Sequence, residues 1–492
     1  MLKTYKDTWI PEWNPEDPKR WDPALAWRTL WITTFNLTLA FITWFVVSAL
    51  VVRLPKVGFD LNTTQLFWLT AMPGLAGGTL RIIWTFLPPI LGTRHLVTFS
   101  TLLLLLPLLG WGFAVQNPDT PYGVLLLLAF LAGIGGGNFS GFMPSTSYFF
   151  PKRLQGTALG LQAGIGNFGV SIVQFVTPWV IGFALFGSLL GGPQTFTPKP
   201  GVSQPIWLQN ATFIWVPFVL VGSWLAWVYL RSVPVRANLR EQFDIFRDKH
   251  TWIMTSLYIM TFGSFSGFSA IFPLLIGEVY GKFEGAPDPL RYAFLGPLVG
   301  SLARIIAGPI SDRFGGAIVT QVSAIGIFFS ALLVTLFTRP TSLDQFPLFV
   351  LAMLLVFFFS GVGNASTFKQ MPMIFPPRQA GGVVGWTAAI AAYGPFIFSA
   401  LAGYTQKATG GFIPFYANSF VLGHQWNRVC RLRVSGSWAR TRHRSATASI
   451  PPPVSQASGE VAMTWIKASP RAGLSHPGTF PPQQGFSAPL RA

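Results

Sequence analysis

Cysteine is almost absent from this chain. The single thiol, Cys430, has no internal partner, which excludes a framework of disulfides. Charge is scarce as well. Asp, Glu, Lys and Arg make up 10% of the 492 residues, and only 16 residues are acidic. No nucleophile–base pair and no metal-ligand spacing emerges, which argues against an enzyme and against a resident metal or cofactor. No cleavable leader is visible. The net charge of +18 would suit a nucleic-acid binder. However, the basic residues lie mostly in loops and a tail, with no basic helix or aromatic-basic platform, so nucleic acid is not an expected partner.

What is abundant is apolar. The chain is 51% hydrophobic, with 46 Phe and 19 Trp. Apolar stretches of about 20 residues recur, each long enough to cross a hydrocarbon core of about 30 Å. The expected partner surface is therefore the lipid bilayer, and the expected fold class is an all-α polytopic membrane protein. Eleven spans are predicted near 30–54, 65–91, 95–115, 121–149, 154–187, 208–232, 251–279, 289–310, 316–338, 345–370 and 379–407. Before them, residues 1–29 are polar and carry Pro11, Pro15, Pro18 and Pro23. They predict an irregular arm. The even loops carry Lys19, Arg20, Arg28, Arg94, Lys152, Arg153, Arg313 and Arg378, whereas the odd loops are mixed or nearly uncharged. Positive-inside counting places the N-terminus on the cytoplasmic side of the membrane.

The polar stretch 233–250 divides the chain into 30–232 and 251–422, and the two parts repeat. Arg81-Ile-Ile is answered by Arg304-Ile-Ile. Phe150-Pro-Lys-Arg153 is answered by Phe375-Pro-Pro-Arg378, and Gly135-Gly136-Gly137-Asn138 by Gly361-Val-Gly363-Asn364. Two six-helix halves around a midplane site are the architecture of the major facilitator superfamily. The run Gly308-Pro-Ile-Ser-Asp312-Arg313-Phe-Gly-Gly316 looks like that superfamily's conformational loop between helices 8 and 9. Its counterpart Gly92-Thr-Arg94-His95 lacks the Asp. The repeat fails where helix 12 should lie. Residues 423–492 are rich in Arg, Ser and Pro and read as a disordered tail, so helix 12 is expected to be missing or disrupted by a frame shift or an alternative terminus.

Arg81 and Arg304 carry the chemistry. An arginine at the centre of a membrane helix costs about 2.5–3.5 kcal/mol even on lenient scales. Neither has an acidic residue one or two turns away; Asp312 is about 12 Å along the helix from Arg304, too far to pair. Snorkelling or bonding to backbone carbonyls is the plain alternative. The matching positions instead point to a small anion as the missing partner. Asn167 lies roughly 20 Å along its helix from Pro151, near mid-membrane. It would donate either to an anion or to another helix. The glycines Gly164 and Gly166, like those around Asn138, fit close helix packing.

Two long segments carry a closer resemblance. Gly135-Gly-Gly-Asn138-Phe-Ser, continuing through Phe149-Phe-Pro-Lys-Arg-Leu-Gln to Gly164-Ile-Gly166-Asn167-Phe-Gly, resembles the first signature of the nitrate/nitrite porter family. Ser360-Gly-Val-Gly-Asn364-Ala-Ser-Thr-Phe-Lys-Gln-Met-Pro resembles the second. The opening Trp13-Asn-Pro-Glu-Asp-Pro-Lys-Arg-Trp21 resembles the bacterial exchanger branch. The resemblance implies that Arg81 and Arg304 clamp nitrate, that Asn167 and Tyr258 hydrogen-bond to it, and that Phe41 and Phe262 flank it. It also implies a bacterial cytoplasmic (inner) membrane, while two unpaired buried charges that oppose closure of an empty site favour nitrate/nitrite antiport, with a monomer expected. Gln162 departs from the pattern, where Asn is usual. Three other readings stay open: proton-coupled nitrate symport, a truncated non-transporting product, and a facilitator for neutral substrates. The arginine pair weighs against the last.

Overall fold

A computed structural model describes residues 8–187, 189–199, 201–234, 243–375, 377–413 and 415. The expected tail 423–492, Cys430, and any twelfth helix lie outside these residues. Among the described residues, eleven helices are long and apolar enough to cross a bilayer. We label them α1 (Pro23–Leu50), α2 (Thr63–Thr85), α3 (Pro88–Ala114), α4 (Tyr122–Ser147), α5 (Lys152–Val180), α6 (Asn210–Tyr229), α7 (Lys249–Tyr280), α8 (Leu290–Phe314), α9 (Gly316–Leu336), α10 (Leu343–Met371) and α11 (Gly382–Thr409). Each corresponds to one predicted span.

Several span ends shift, by up to seven residues, and two of the starts have a clear local reason. The first helix begins at Pro23, not near residue 30. The Asp22 side chain accepts from the Ala24 and Leu25 N–H groups, and proline is suited to the first helical turn, where its missing N–H costs nothing. Helix α7 likewise begins at Lys249, capped by Asp248, which accepts from the His250 N–H. The all-α expectation needs one amendment. Between α5 and α6, β1 (Gln194–Lys199) and β2 (Val202–Ile206) form an antiparallel hairpin with Gln194 opposite Ile206.

The N-terminal arm is irregular in outline but firmly held. Trp13 Nε1 donates to the Tyr148 carbonyl and Trp21 Nε1 to the Phe149 carbonyl, both at 3.0 Å. Glu16 accepts the Lys152 N–H at 2.8 Å. The arm thus serves carbonyls at the end of α4 and an amide at the start of α5, groups that a helix cannot satisfy internally. Ile10 and Trp13 pack with Leu25, Phe149 and Phe150 in a small apolar cluster of their own.

The repeat is visible in the packing. Helix α2 is flanked by α4 and α11, and α8 by α10 and α5, in twofold correspondence. Glycine makes the closest approaches possible. A Cβ on Gly135 would collide with the Ala40 carbonyl, and a Cβ on its counterpart Gly361 with the Gly300 carbonyl. Gly136, Gly137, Gly164, Gly166 and Gly363 face side chains of Trp44, Leu80, Ile305, Leu37 and Thr261 at similarly tight range. Packing thus accounts for these signature glycines. Gly308 differs, with open space where its Cβ would be.

The two loop counterparts share a backbone even where their sequences diverge. Gly92 and Gly315 both adopt positive φ, at 70° and 87°. In the complete copy Asp312 pairs with Lys369 of α10, and the Arg313 guanidinium lies 5.5 Å from the Phe314 ring centre.

Candidate functional site

Both arginines are buried at the junction of the two halves. Arg81 in α2 is fully enclosed, and Arg304 in α8 is 5% exposed. Among the described residues neither forms an ion pair. Arg81 Nε donates to the Gly136 carbonyl at 2.8 Å and Nη1 to the Ala388 carbonyl at 2.7 Å. Its Nη2 is buried with no hydrogen-bond partner among the described residues. Backbone bonding, the plain alternative from sequence, therefore accounts for part of the Arg81 guanidinium but not all of it.

Aromatic faces supply the rest of its surroundings. The Arg81 Cζ lies 4.5 Å from the ring centre of Phe139, 5.1 Å from Trp44 and 5.2 Å from Phe262. Such cation–π contacts contribute about 2 kcal/mol or more each when water is excluded. They help to offset the desolvation of a permanent cation without cancelling its charge. Arg304 has a sparser lining, with its Cζ 5.3 Å from the Phe368 ring.

Asn167 joins the site as its position on α5 suggests. In the amide orientation that satisfies both groups, its oxygen accepts from Arg304 Nη1 at 3.0 Å and its nitrogen donates to the Ala163 carbonyl at 3.3 Å. That bond links the halves, since α5 belongs to the first and α8 to the second. Tyr258 is fully buried, and its ring packs on Phe368, the ring that faces Arg304, with centres 4.8 Å apart. Tyr258 and Phe262 stack 5.2 Å apart with their planes 8° from parallel. A π-helical turn over Ile259–Gly263 interrupts α7 between them. The extra residue in that turn re-phases the helix, a device concentrated at functional sites.

Phe41 reaches the site through a chain of rings. It packs on Phe139 at 6.2 Å, and Phe139 meets Phe262 at 6.5 Å and Phe368 at 6.4 Å. The structure thus brings Arg81, Arg304, Asn167, Tyr258, Phe41 and Phe262 into one buried cluster. Asn138 and Asn364 play other parts. Asn138 donates to the Ser100 carbonyl of α3 at 3.2 Å. The Asn364 side chain is buried with no hydrogen-bond partner among the described residues. Gln162, the departure from the pattern, is buried and donates to the Phe142 carbonyl at 3.4 Å.

Sequence reasoning missed Phe139, Phe368 and Trp44, and the two carbonyls that hold Arg81. A signal was present. Phe139 directly follows Asn138 in the first signature, and Phe368 lies within the second. Only helical phase shows that these rings face the arginines.

Residues 33–399 match the family model of the Major Facilitator Superfamily. The chain is 91% identical over 422 residues to "Probable nitrate/nitrite antiporter NarK2" of Thermus thermophilus, covering 86% of this chain and 95% of that protein. The chain belongs to the nitrate/nitrite porter family of the Major Facilitator Superfamily. A second porter, "Nitrate/nitrite transporter NarU" of Salmonella typhimurium, is 39% identical over 383 residues, covering 76% of this chain and 80% of that one. The superfamily fold is also shared with a bacterial homologue of the lysosomal transporter Spinster in an inward-facing conformation. That structure has a TM-score of 0.57 at 15% identity and covers 84% of this chain and 98% of its own. As a porter the chain is a multi-pass membrane protein and not an enzyme.

Proposed function

We propose that this porter exchanges nitrate for nitrite across the bacterial cytoplasmic membrane by alternating access, with its N-terminus in the cytoplasm. The observation that carries this reading is the buried arginine pair without a carboxylate, one arginine from each half. Nitrate is planar with one delocalised negative charge, and nitrite is a bent anion of the same charge. A guanidinium offers such oxygens parallel N–H donors. Arg81 Nη2 has a donor to spare, Asn167 adds an amide from the same half, and Arg304 and Tyr258 contribute polar groups from the facing half. The aromatic rings exclude water, which strengthens each of these interactions.

Exchange follows from charge. Without an anion, two buried cations must be enclosed together whenever the halves close. With an anion one charge is offset, so the loaded carrier closes at lower cost and crosses more readily. Among the described residues no Asp, Glu or His contacts either arginine to carry a coupling proton. One chain supplies both halves of the site, so a monomer is a complete transport unit.

Counterflow tests the proposal. Proteoliposomes loaded with nitrite should accumulate labelled nitrate, and empty vesicles should not. Strong uptake into empty vesicles under an imposed pH gradient would replace exchange with proton-coupled symport.

A further inference from the structure

The end of the bundle opposite the N-terminal arm holds another buried arginine, and this one has a carboxylate partner. Arg53 follows α1 in the first half, and Asp288 precedes α8 in the second. Arg53 Nη2 donates to both Asp288 carboxylate oxygens, at 2.8 and 2.6 Å. The Arg53 side chain is only 6% exposed, whereas that of Asp288 is 30% exposed. Asp288 also accepts the Leu290 N–H at 3.1 Å, which fixes it to the first turn of α8, the helix that carries Arg304. Phe196 of the β1–β2 hairpin roofs the pair, its ring centre 5.1 Å from the Arg53 Cζ and 6.0 Å from Lys56 Nζ. A second bridge lies nearby. Thr63, at the start of α2, donates to the Glu278 carboxylate at 3.2 Å near the end of α7.

Building on the alternating-access reading above, we propose that the Arg53–Asp288 pair is a latch that holds this mouth of the porter shut and must open once in every transport cycle. The pair joins the two halves beyond the end of α1, roughly 18 Å by helical rise from Phe41, at a level where a rocking motion separates them. When the mouth is closed, the Asp288 carboxylate offsets Arg53. When it opens, water enters and both charges are hydrated, so the penalty for an unpaired buried ion is not incurred. Opening also leaves Arg53 and Lys56 as uncompensated cations at the rim, a local field that draws anions inward. Lys56 already senses this arrangement. Burial first, and then Arg53, holds its ammonium below the ordinary lysine range, with Asp288 pulling the other way. The same latch thus closes the mouth and, once released, exposes an attractor for the anion.

The test uses the full chain, purified, with Cys430→Ser and a reporter at Ser48→Cys. Ser48 lies on α1 between Phe41 and Arg53, is buried, and accepts from Gln174 at 3.0 Å. Labelling of the reporter by a hydrophilic thiol reagent reads opening of this mouth and requires no transport. Asp288→Asn and Arg53→Gln should each speed labelling roughly tenfold, equivalent to a shift of about 1.4 kcal/mol toward the open state. The reversed pair, Arg53→Asp with Asp288→Arg, should return the rate close to that of the parent. Unchanged labelling in both single variants would overturn the latch, and so would a reversed pair that labels as fast as the singles. If the labelling responds as expected while counterflow fails in the parent chain, the exchange reading falls and the latch stands.

Discussion

Arg81 of the first half donates from Nη1 to the Ala388 carbonyl of the second half at 2.7 Å. The residue expected to hold the anion is therefore also a fastener between the halves. Binding and closure draw on the same guanidinium, which links occupancy of the site to the approach of α11. Asn167 and Arg304 repeat the arrangement from the other side.

Lysine should not replace either arginine. It keeps the charge but loses the planar fork, and one ammonium cannot serve two carbonyls and an anion in the Arg81 geometry. Arg81→Lys and Arg304→Lys are each expected to lower nitrate exchange by roughly a hundredfold or more, about 2.7 kcal/mol. Counterflow at matched protein abundance checks this. A lysine variant near the parental rate would remove the clamp from the mechanism.

Asn167→Asp should separate folding from binding. A carboxylate placed where the amide oxygen accepts from Arg304 would form an ion pair and offset the charge that nitrate needs. The variant should fold with undiminished thermal stability yet lose the rise in melting temperature expected of the parent when nitrate is added. Nitrate titrations followed by thermal unfolding provide both readings, and a retained nitrate response would contradict the assignment.

Phe139→Ala should destabilise the site. The ring contacts Phe41, Phe262 and Phe368 and covers Arg81 at the shortest of its aromatic distances. Truncating a buried Phe costs about 3–5 kcal/mol through lost contacts and the cavity left behind. Loss of the cation–π contact adds to that. Phe139→Leu should recover much of the stability but less of the transport, because it restores volume without the π face.

The arm offers a milder perturbation. Glu16→Ala removes the acceptor from the first amide of α5, and loss of a helix cap costs about 0.5–2 kcal/mol. The Glu16→Gln variant retains an acceptor and should lie closer to the parent in thermal unfolding. Equal stability in all three would mean that the two tryptophans hold the arm without Glu16.

Much of this protein could be read directly from the chain. Span length and apolarity belong to local sequence, so all eleven helices were legible, and the repeated Arg-Ile-Ile already paired Arg81 with Arg304. Glycine runs also carry their meaning locally, because a missing side chain signals close approach wherever it occurs. Gly135 and Gly361 meet neighbouring carbonyls, in keeping with that reading.

Other features depend on neighbours distant in sequence. The carbonyl of Ala388 is chemically like any other, and only the crossing of α2 and α11 brings it to Arg81. The rings of Phe139 and Phe368 resemble the many other phenylalanines until helical phase and packing turn them toward a guanidinium. The π turn at Ile259–Gly263 changes that phase within a helix and has no composition of its own. Arg53 and Asp288 lie in separate loops, each unremarkable alone, and become a pair only because the two halves meet there. Local sequence determined which segments enter the membrane and which buried charges need partners. Tertiary structure decided the partners, because they are set by helix crossings between residues hundreds of positions apart.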